Sequence, residues 1–252
     1  MALPDHHHQT PMSEVDPKRR VERAKNVAAG YTLSNIIKSE PYIDSAIELL
    51  EKRWDELSQA NKIVEFDKRF NYMAFDIIGE VTFSSRFGFL ESGRDIGGAI
   101  ANPRVLTLYV TIMGYFQWLH RLTLGNPLIG YLNLMPTQHI FDTCLSAVNN
   151  RKKNPNARTD MMEQWMLSLK AHPERFEEKE IYAVATATIG AGADTISATL
   201  QAFWYNLLRK PEHVSQLRAE IDSAKTQGKL SKVVSYAEAQ ELPFLQACVC
   251  FR

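Results

Sequence analysis

The sequence predicts a mainly α-helical chain with few short strands, organised as a long central helix with other helices around it. Three observations carry that prediction. Apolar residues recur at helical spacing in most segments, strand-like runs are rare, and one run from about Glu177 to Leu208 continues without a turn signal until Lys210-Pro211. Within that run Ile181 to Ile189 is apolar or small on every side, and Ile196, Ala198, Leu200, Ala202, Phe203, Trp204, Leu207 and Leu208 extend it. A helix that is apolar all round is expected to be buried all round.

Taken in order, residues 1–15 are polar and expected to be disordered, and a solvated tail is the ordinary reading of His6, His7 and His8 against weak metal binding. Asp16-Pro17 opens a basic helix holding Lys18, Arg19, Arg20, Arg23 and Lys25 and ending at Gly30. Those charges fit either a solvated face or a clamp for an anion. Ser39-Glu40-Pro41 gives a capping hydroxyl and a first-turn proline. Ile43, Ala46, Ile47, Leu50, Trp54 and Leu57 then form one apolar stripe. Ile63-Val64-Glu65-Phe66 is a short strand candidate, and Lys68 to Phe83 returns to helix with Phe70, Met73, Ala74, Ile77, Ile78 and Val81 on one side. Glycines 88, 93, 97 and 98 mark loops.

The stretch from Val105 to Leu119 is strongly apolar and aromatic, with core helix as its default reading and a lid over a pocket or a membrane-facing patch as the alternatives. Pro136 to Asn150 predicts a further helix, and Arg151 to Asn156 an exposed polar link. Thr159 is placed to cap a helix from Asp160 to Leu169, closed by His172-Pro173. Glu177, Glu178 and Glu180 put negative charge where the dipole of the central helix favours it. Pro211 opens a helix with Val214, Leu217 and Ile221 inward and an end near Gly228; Ser235 and Glu238 form a capping box; a last helix begins near Leu242-Pro243-Phe244.

The 252 residues have zero formal net charge, which gives no sign of a nucleic-acid or acidic partner. Cys144, Cys248 and Cys250 are odd in number and lack paired spacing, as expected in a reducing compartment.

The centre of the long helix reads Ala191-Gly192-Ala193-Asp194-Thr195. Gly190 and Gly192 each cost a helix interior roughly 1 kcal/mol relative to Ala. Asp194 is expensive in dry surroundings unless it is paired or faces a wet cavity. Thr195 can hydrogen-bond a carbonyl one turn earlier and bend the helix. Small residues on one side leave room for something flat to approach the backbone, with a hydroxyl and an acid beside it to relay protons. The plain alternative is a core helix packed through its glycines, with Asp194 tied to a basic neighbour. A transmembrane helix is a third reading, opposed by Asp194 and the hydroxyls around it.

This order of segments, with the central motif, resembles the cytochrome P-450 haem-thiolate monooxygenases, in particular the fungal microsomal type related to pisatin demethylase and benzoate hydroxylases. Ala191-Gly192-Ala193-Asp194-Thr195 is similar to the family's A/G-G-x-D/E-T motif. Leu208-Arg209-Lys210-Pro211-Glu212 with Leu217-Arg218-Ala219-Glu220-Ile221 resembles the helix that follows, and Leu242 to Cys248 the approach to its ExxR helix. Phe75 to Phe83 and Arg86-Phe87-Gly88-Phe89-Leu90 are similar to the fungal group. The resemblance implies the central part of that fold over residues 16–252, a partial domain that lacks the N-terminal anchor and sheet region and the C-terminal F-x-x-G-x-R-x-C-x-G loop carrying the axial cysteine.

By resemblance the cofactor is haem iron, the redox partner an NADPH-cytochrome reductase, and the substrate a small apolar organic compound. Ala191 and Gly192 would shape the groove over the haem where oxygen sits, Thr195 would hydrogen-bond that oxygen or its water, and Asp194 would feed protons to it. The aromatic stretch from Tyr109 to Trp118 would lie near substrate access. Arg20 and Arg23 are the candidates for a haem propionate, in a register where Arg20 and Ala24 stand at the family's two positions. None of the three cysteines has the ligand's context, and no other metal ligand set is predicted. The resemblance therefore implies an incomplete, inactive monooxygenase that binds haem weakly. The alternative is a non-catalytic helical scaffold or regulatory partner of a full-length relative. The family is anchored in the endoplasmic reticulum membrane; with no anchor in this chain, the expectation is a cytoplasmic or an undetermined location.

Overall fold

A computed structural model of the chain describes residues 10–126, 128, 131–132, 138–154 and 158–249. His6, His7, His8, Pro136 and Cys250 lie outside the described residues. Every regular element among the described residues is helical.

Helix α1 (Pro17–Val27) starts as its sequence dictates: the Asp16 carboxylate accepts from the amides of Lys18 and Arg19 at 2.8 and 3.3 Å, with Pro17 in the first turn. The chain continues through a 3₁₀ turn (Ala28–Tyr31), a single helical turn α2 (Leu33–Ile36) and a second 3₁₀ turn (Ile37–Ser39) into α3 (Glu40–Gln59). Ser39 does not cap α3, because its own backbone is already helical (φ −92°, ψ 0°), and its hydroxyl is buried without a partner. Residues 10–14, expected to be disordered, form a turn whose Glu14 is buried and paired with Arg23 at 3.1 Å.

The strand expected at Ile63–Phe66 is absent. Ile63 is 90% exposed, and Phe66 opens α4 (Phe66–Phe83). An alternating run needs a partner strand to satisfy its backbone, and the described residues offer none. Among the described residues it is helix α4 that is buried on every side, from Phe70 to Phe83 with only Ile77 less than fully covered. It is followed by α5 (Phe89–Ser92), whose first amides are gathered by the buried Asp76 carboxylate: Gly88, Phe89 and Leu90 donate to it at 2.8, 3.1 and 2.9 Å.

Helices α6 (Ala101–Met113) and α7 (Gln117–Leu122) overturn the expectation of a core segment. Leu106 is buried, but Val105, Leu108, Val110, Ile112, Tyr115, Phe116, Trp118 and Leu122 are exposed. The segment is apolar without being covered.

Helix α8 (Gln138–Lys153) takes in Arg151 to Lys153, the first half of the expected polar link; Pro155 and Asn156 of that link lie outside the described residues. Arg151 is 3% exposed because its guanidinium reaches back to Asp160 at 2.8 Å and Glu163 at 2.7 Å. Asp160, not Thr159, caps α9 (Met161–Ala171), accepting from the Glu163 amide at 2.7 Å and from the Ser84 hydroxyl at 2.6 Å. One carboxylate thereby ties the ends of α4, α8 and α9, and breaking such a buried pair from one side costs ~3–5 kcal/mol.

Helix α10 (Glu178–Leu208) is the long central helix, 31 residues and about 46 Å at 1.5 Å per residue. Glu177 and Glu180 form a capping box at its start. Its inner face lies on α4, with α8 and α9 beside it. Trp204 stacks on Phe66, and Phe66 on Phe70, at 5.8 and 5.4 Å between ring centres.

The C-terminal helices follow the sequence closely. Pro211 opens α11 (Pro211–Thr226), and the Ser235–Glu238 capping box opens α12 (Tyr236–Gln240). In α13 (Pro243–Val249) the amides of Phe244 and Leu245 donate to Glu220 of α11 at 2.8 and 2.9 Å. Lys232 pairs with Glu48 at 2.8 Å, fastening this part to α3. No described helix is long and apolar enough to cross a membrane.

Candidate functional site

Helix α10 divides into two regimes. Near its start Ile181, Ala183, Val184 and Ala185 are all buried. Beyond Ile189 only one face is covered: Ala193, Ser197 and Leu207 are buried, while Gly190, Ala191, Asp194, Thr195, Ala198, Thr199 and Ala202 are exposed. The expectation of all-round burial fails there. The outward residues recur three and four apart, so they share one face of the helix. As far as Ala202 none projects further than a short polar group, and a Cβ built on Gly190 meets nothing within 4 Å; beyond it the exposed Tyr205 and Leu208 bound the run. The result is a shallow shelf of methyl groups, hydroxyls and one carboxylate.

Each residue singled out from the sequence has a definite place. Ala191, Asp194 and Thr195 stand together on the exposed face. Thr195 donates its hydroxyl hydrogen to the Ala191 carbonyl at 2.8 Å, with the Gly192 carbonyl at 3.3 Å, so the oxygen turns its lone pairs outward. Thr199 repeats the bond one turn on, to Thr195, at 2.8 Å. Asp194 has no ion-pair partner among the described residues, so it is not tied to the basic neighbour that the core-helix reading required.

Gly192 faces the other way: a Cβ there meets Cδ1 of Ile78 at 2.6 Å. Its smallness serves the crossing of α10 over α4. The two glycines thus divide the two readings between them, Gly192 the packing and Gly190 the open side.

Arg23 is engaged with Glu14 and with Glu180 at the start of α10. That pair sits about 17 Å along the helix axis from Ala191, eleven residues at 1.5 Å each. Arg20 is exposed on α1 and has no ion-pair partner among the described residues. Among the described residues no ion pair joins either arginine to the Ala191–Thr195 shelf.

Sequence reasoning missed Tyr31, whose hydroxyl lies 2.5 Å from that of Thr188, one turn before Ala191 on the same helix. A tyrosine next to the expected end of α1 carries no signal of its own; only folding puts it beside α10.

The shelf suits a flat, largely apolar group that presents a polar atom towards Thr195. Among the described residues no cluster able to hold an iron ion is found. Cys144 is buried behind α10, its sulfur 4.0 Å from the Tyr182 carbonyl and its thiol pushed up to about 11 by burial. Cys248 is half-buried on α13, and its thiol is raised by burial and by Glu220. No cluster of three or more His, Cys, Asp or Glu side chains able to hold a metal ion occurs among the described residues. A cleft of about 450 Å³ lies between the end of α4 and α8, lined by Ser84, Arg86, Thr143, Asn150 and Arg151. None of the shelf residues lines it.

The cytochrome P450 family profile matches residues 4–250. A cytochrome P450 monooxygenase of Aspergillus terreus is 32% identical over 239 residues, 89% of this chain and 48% of that protein. The monooxygenase cicH of Emericella nidulans is 30% identical over 236 residues, covering 88% and 46%. The monooxygenase gsfF of Penicillium aethiopicum is 30% identical over 250 residues, covering 93% and 49%. The chain thus spans about half the length of the curated relatives it matches.

Proposed function

The chain belongs to the cytochrome P450 family, and from that premise we propose that the exposed face of α10 is the oxygen-side wall of a haem monooxygenase acting on small apolar organic compounds. The observation that carries this reading is the shelf itself: in a helix otherwise packed on α4, the family motif turns Ala191, Asp194 and Thr195 outward onto small residues.

When bound, haem iron supplies the oxygen activation and the one-electron chemistry, with electrons from a partner reductase. The chain's own residues shape and proton-feed the space. Ala191, Ala198 and Ala202 let a flat ring lie close to the helix. Thr195, its hydrogen held by the Ala191 carbonyl, offers an acceptor towards that space. Asp194, exposed to water beside it, exchanges protons with solvent and passes them on as a general acid. Arg20 is the candidate for an anionic edge of the group, since Arg23 is committed to Glu14 and Glu180. The exposed apolar face of α6 and α7 supports entry of lipid-soluble substrates.

The shelf fits the oxygen side of haem and not its thiolate side. Cys144 is buried against the Tyr182 carbonyl and Cys248 sits on α13 beside Glu220, and no F-x-x-G-x-R-x-C-x-G loop occurs in these residues. Taken by themselves, they are proposed to hold haem weakly and to be catalytically silent.

A haem titration of the chain tests both parts. Weak uptake that Ala191→Trp weakens further, with a ferrous–carbon monoxide band of the non-thiolate type, is the expected result. Uptake indifferent to Ala191→Trp would sink the wall assignment and favour a helical scaffold. A thiolate-type band would mean that a cysteine here does ligate iron.

A further inference from the structure

Tyr31 stands on the 3₁₀ turn after α1, yet its hydroxyl closes on α10. Its oxygen is 2.5 Å from Oγ1 of Thr188 in a hydrogen bond that faces solvent. Thr188 has one hydroxyl hydrogen, and that hydrogen goes to the Val184 carbonyl at 2.8 Å. The Tyr31 hydroxyl must therefore be the donor in the shared bond, which leaves its oxygen with acceptor capacity only.

The ring itself is held from beneath. It leans at 44° on Trp165, 5.9 Å between centres, and Trp165 is fully buried with its indole N–H on the Val27 carbonyl at 3.2 Å. Gly30 permits this approach, since a Cβ there would stand 2.6 Å from the Trp165 ring nitrogen. Thr188 precedes Ala191 by three residues and Thr195 by seven, so all three share a face. The Tyr31 oxygen thus marks a point about 10 Å along the axis from Thr195, seven residues at 1.5 Å each.

We propose that Tyr31 is a specificity-determining residue of the α10 shelf, a fixed hydrogen-bond acceptor that selects elongated apolar ligands carrying a hydroxyl or N–H group at the end remote from Thr195. The proposal rests on the reading of the shelf as a ligand-facing wall. It is a statement about polarity: an ether or carboxylate at that end meets an acceptor and gains nothing, whereas an alcohol, phenol or amide N–H gains one hydrogen bond.

The test compares 4-hydroxybiphenyl with 4-methoxybiphenyl, matched probes that differ in the donor, binding to the 252-residue chain by calorimetry. A preference of about fivefold for the hydroxyl probe is expected, the worth of one ordinary hydrogen bond. Tyr31→Phe should abolish that preference while leaving the methoxy probe's affinity unchanged. Thr188→Val should act in the opposite way: it frees the Tyr31 hydrogen, so the methoxy probe gains and the ratio falls towards one. A purely structural Tyr31 would weaken both probes together or neither, and circular dichroism with thermal melts separates loss of fold from loss of preference. A preference that survives Tyr31→Phe, or no preference at all, overturns the proposal. Ala191→Trp distinguishes the underlying reading, because binding that this variant leaves intact is not on the shelf, and failure of both probes to bind overturns both.

Discussion

At the scale of single residues, two aspartates show how differently the same side chain can be employed. Asp76 is fully buried and accepts three backbone amides, which fix the turn into α5. Burial still raises its carboxyl above the ordinary value, against the pull of those amides. Asp194 is exposed and lacks an ion-pair partner among the described residues. Asp76→Ala strands three amides and is expected to cost about 3 kcal/mol or more. Asp194→Asn is expected to stay within about 0.5 kcal/mol of the parent. Urea unfolding of both variants checks the pair; a comparable loss for Asp194→Asn would mean that this carboxylate is structural and the proton-feeding role is misplaced. The sequence distinguishes the two poorly. Both sit in apolar helical runs, and only the covering elements decide which one water reaches.

At the scale of elements, α10 is the decisive case. Its start, its 31-residue length and its end are legible in Glu177, Glu180 and Lys210-Pro211, because capping and chain-breaking chemistry is local. Which side is covered is not local. Gly190 and Gly192 are two residues apart and point to different worlds, open space and Ile78. Gly190→Ala is expected to stabilise the protein by roughly 0.5–1 kcal/mol through helix propensity alone. Gly192→Ala should fall well short of that, since its new methyl group presses on Cδ1 of Ile78. Ile78→Val removes that very atom, so the double variant should recover the missing stability in a double-mutant cycle. Equal gains at both glycines would show that the α4–α10 crossing is looser than the geometry indicates. Arg151 makes the same point from the polar side: three basic residues before an Asn-Pro pair suggest a solvated link, but Asp160 and Glu163 make the first of them a buried partner.

At the scale of the whole molecule, the apolar surface is unevenly assigned. The α3–α4–α10 layers bury their apolar faces, whereas α6, α7 and the turn between them leave Leu108, Tyr115 and Trp118 in solvent. Exposed patches of this kind promote association. Leu108→Lys with Trp118→Lys should therefore lower self-association by light scattering and leave the unfolding midpoint nearly unchanged. A marked loss of stability would instead place those side chains in the core that the sequence suggested. What the sequence determined by itself is much of what neighbours along the chain set: the helical class, the long central helix, the capping box at Ser235, though not the caps at Ser39 and Thr159, and the motif by which the family is recognised. Helix periodicity also identified which residues are apolar enough to be buried. Only the tertiary structure decided which of them are. Burial depends on what packs across a face, and hydrophobicity along one helix cannot say whether its partner is another helix, a ligand or water. That is why Val105 to Leu119 reads as core but lies exposed, why α4 rather than α10 is enclosed on all sides, and why Tyr31 meets Thr188 across 157 positions of sequence.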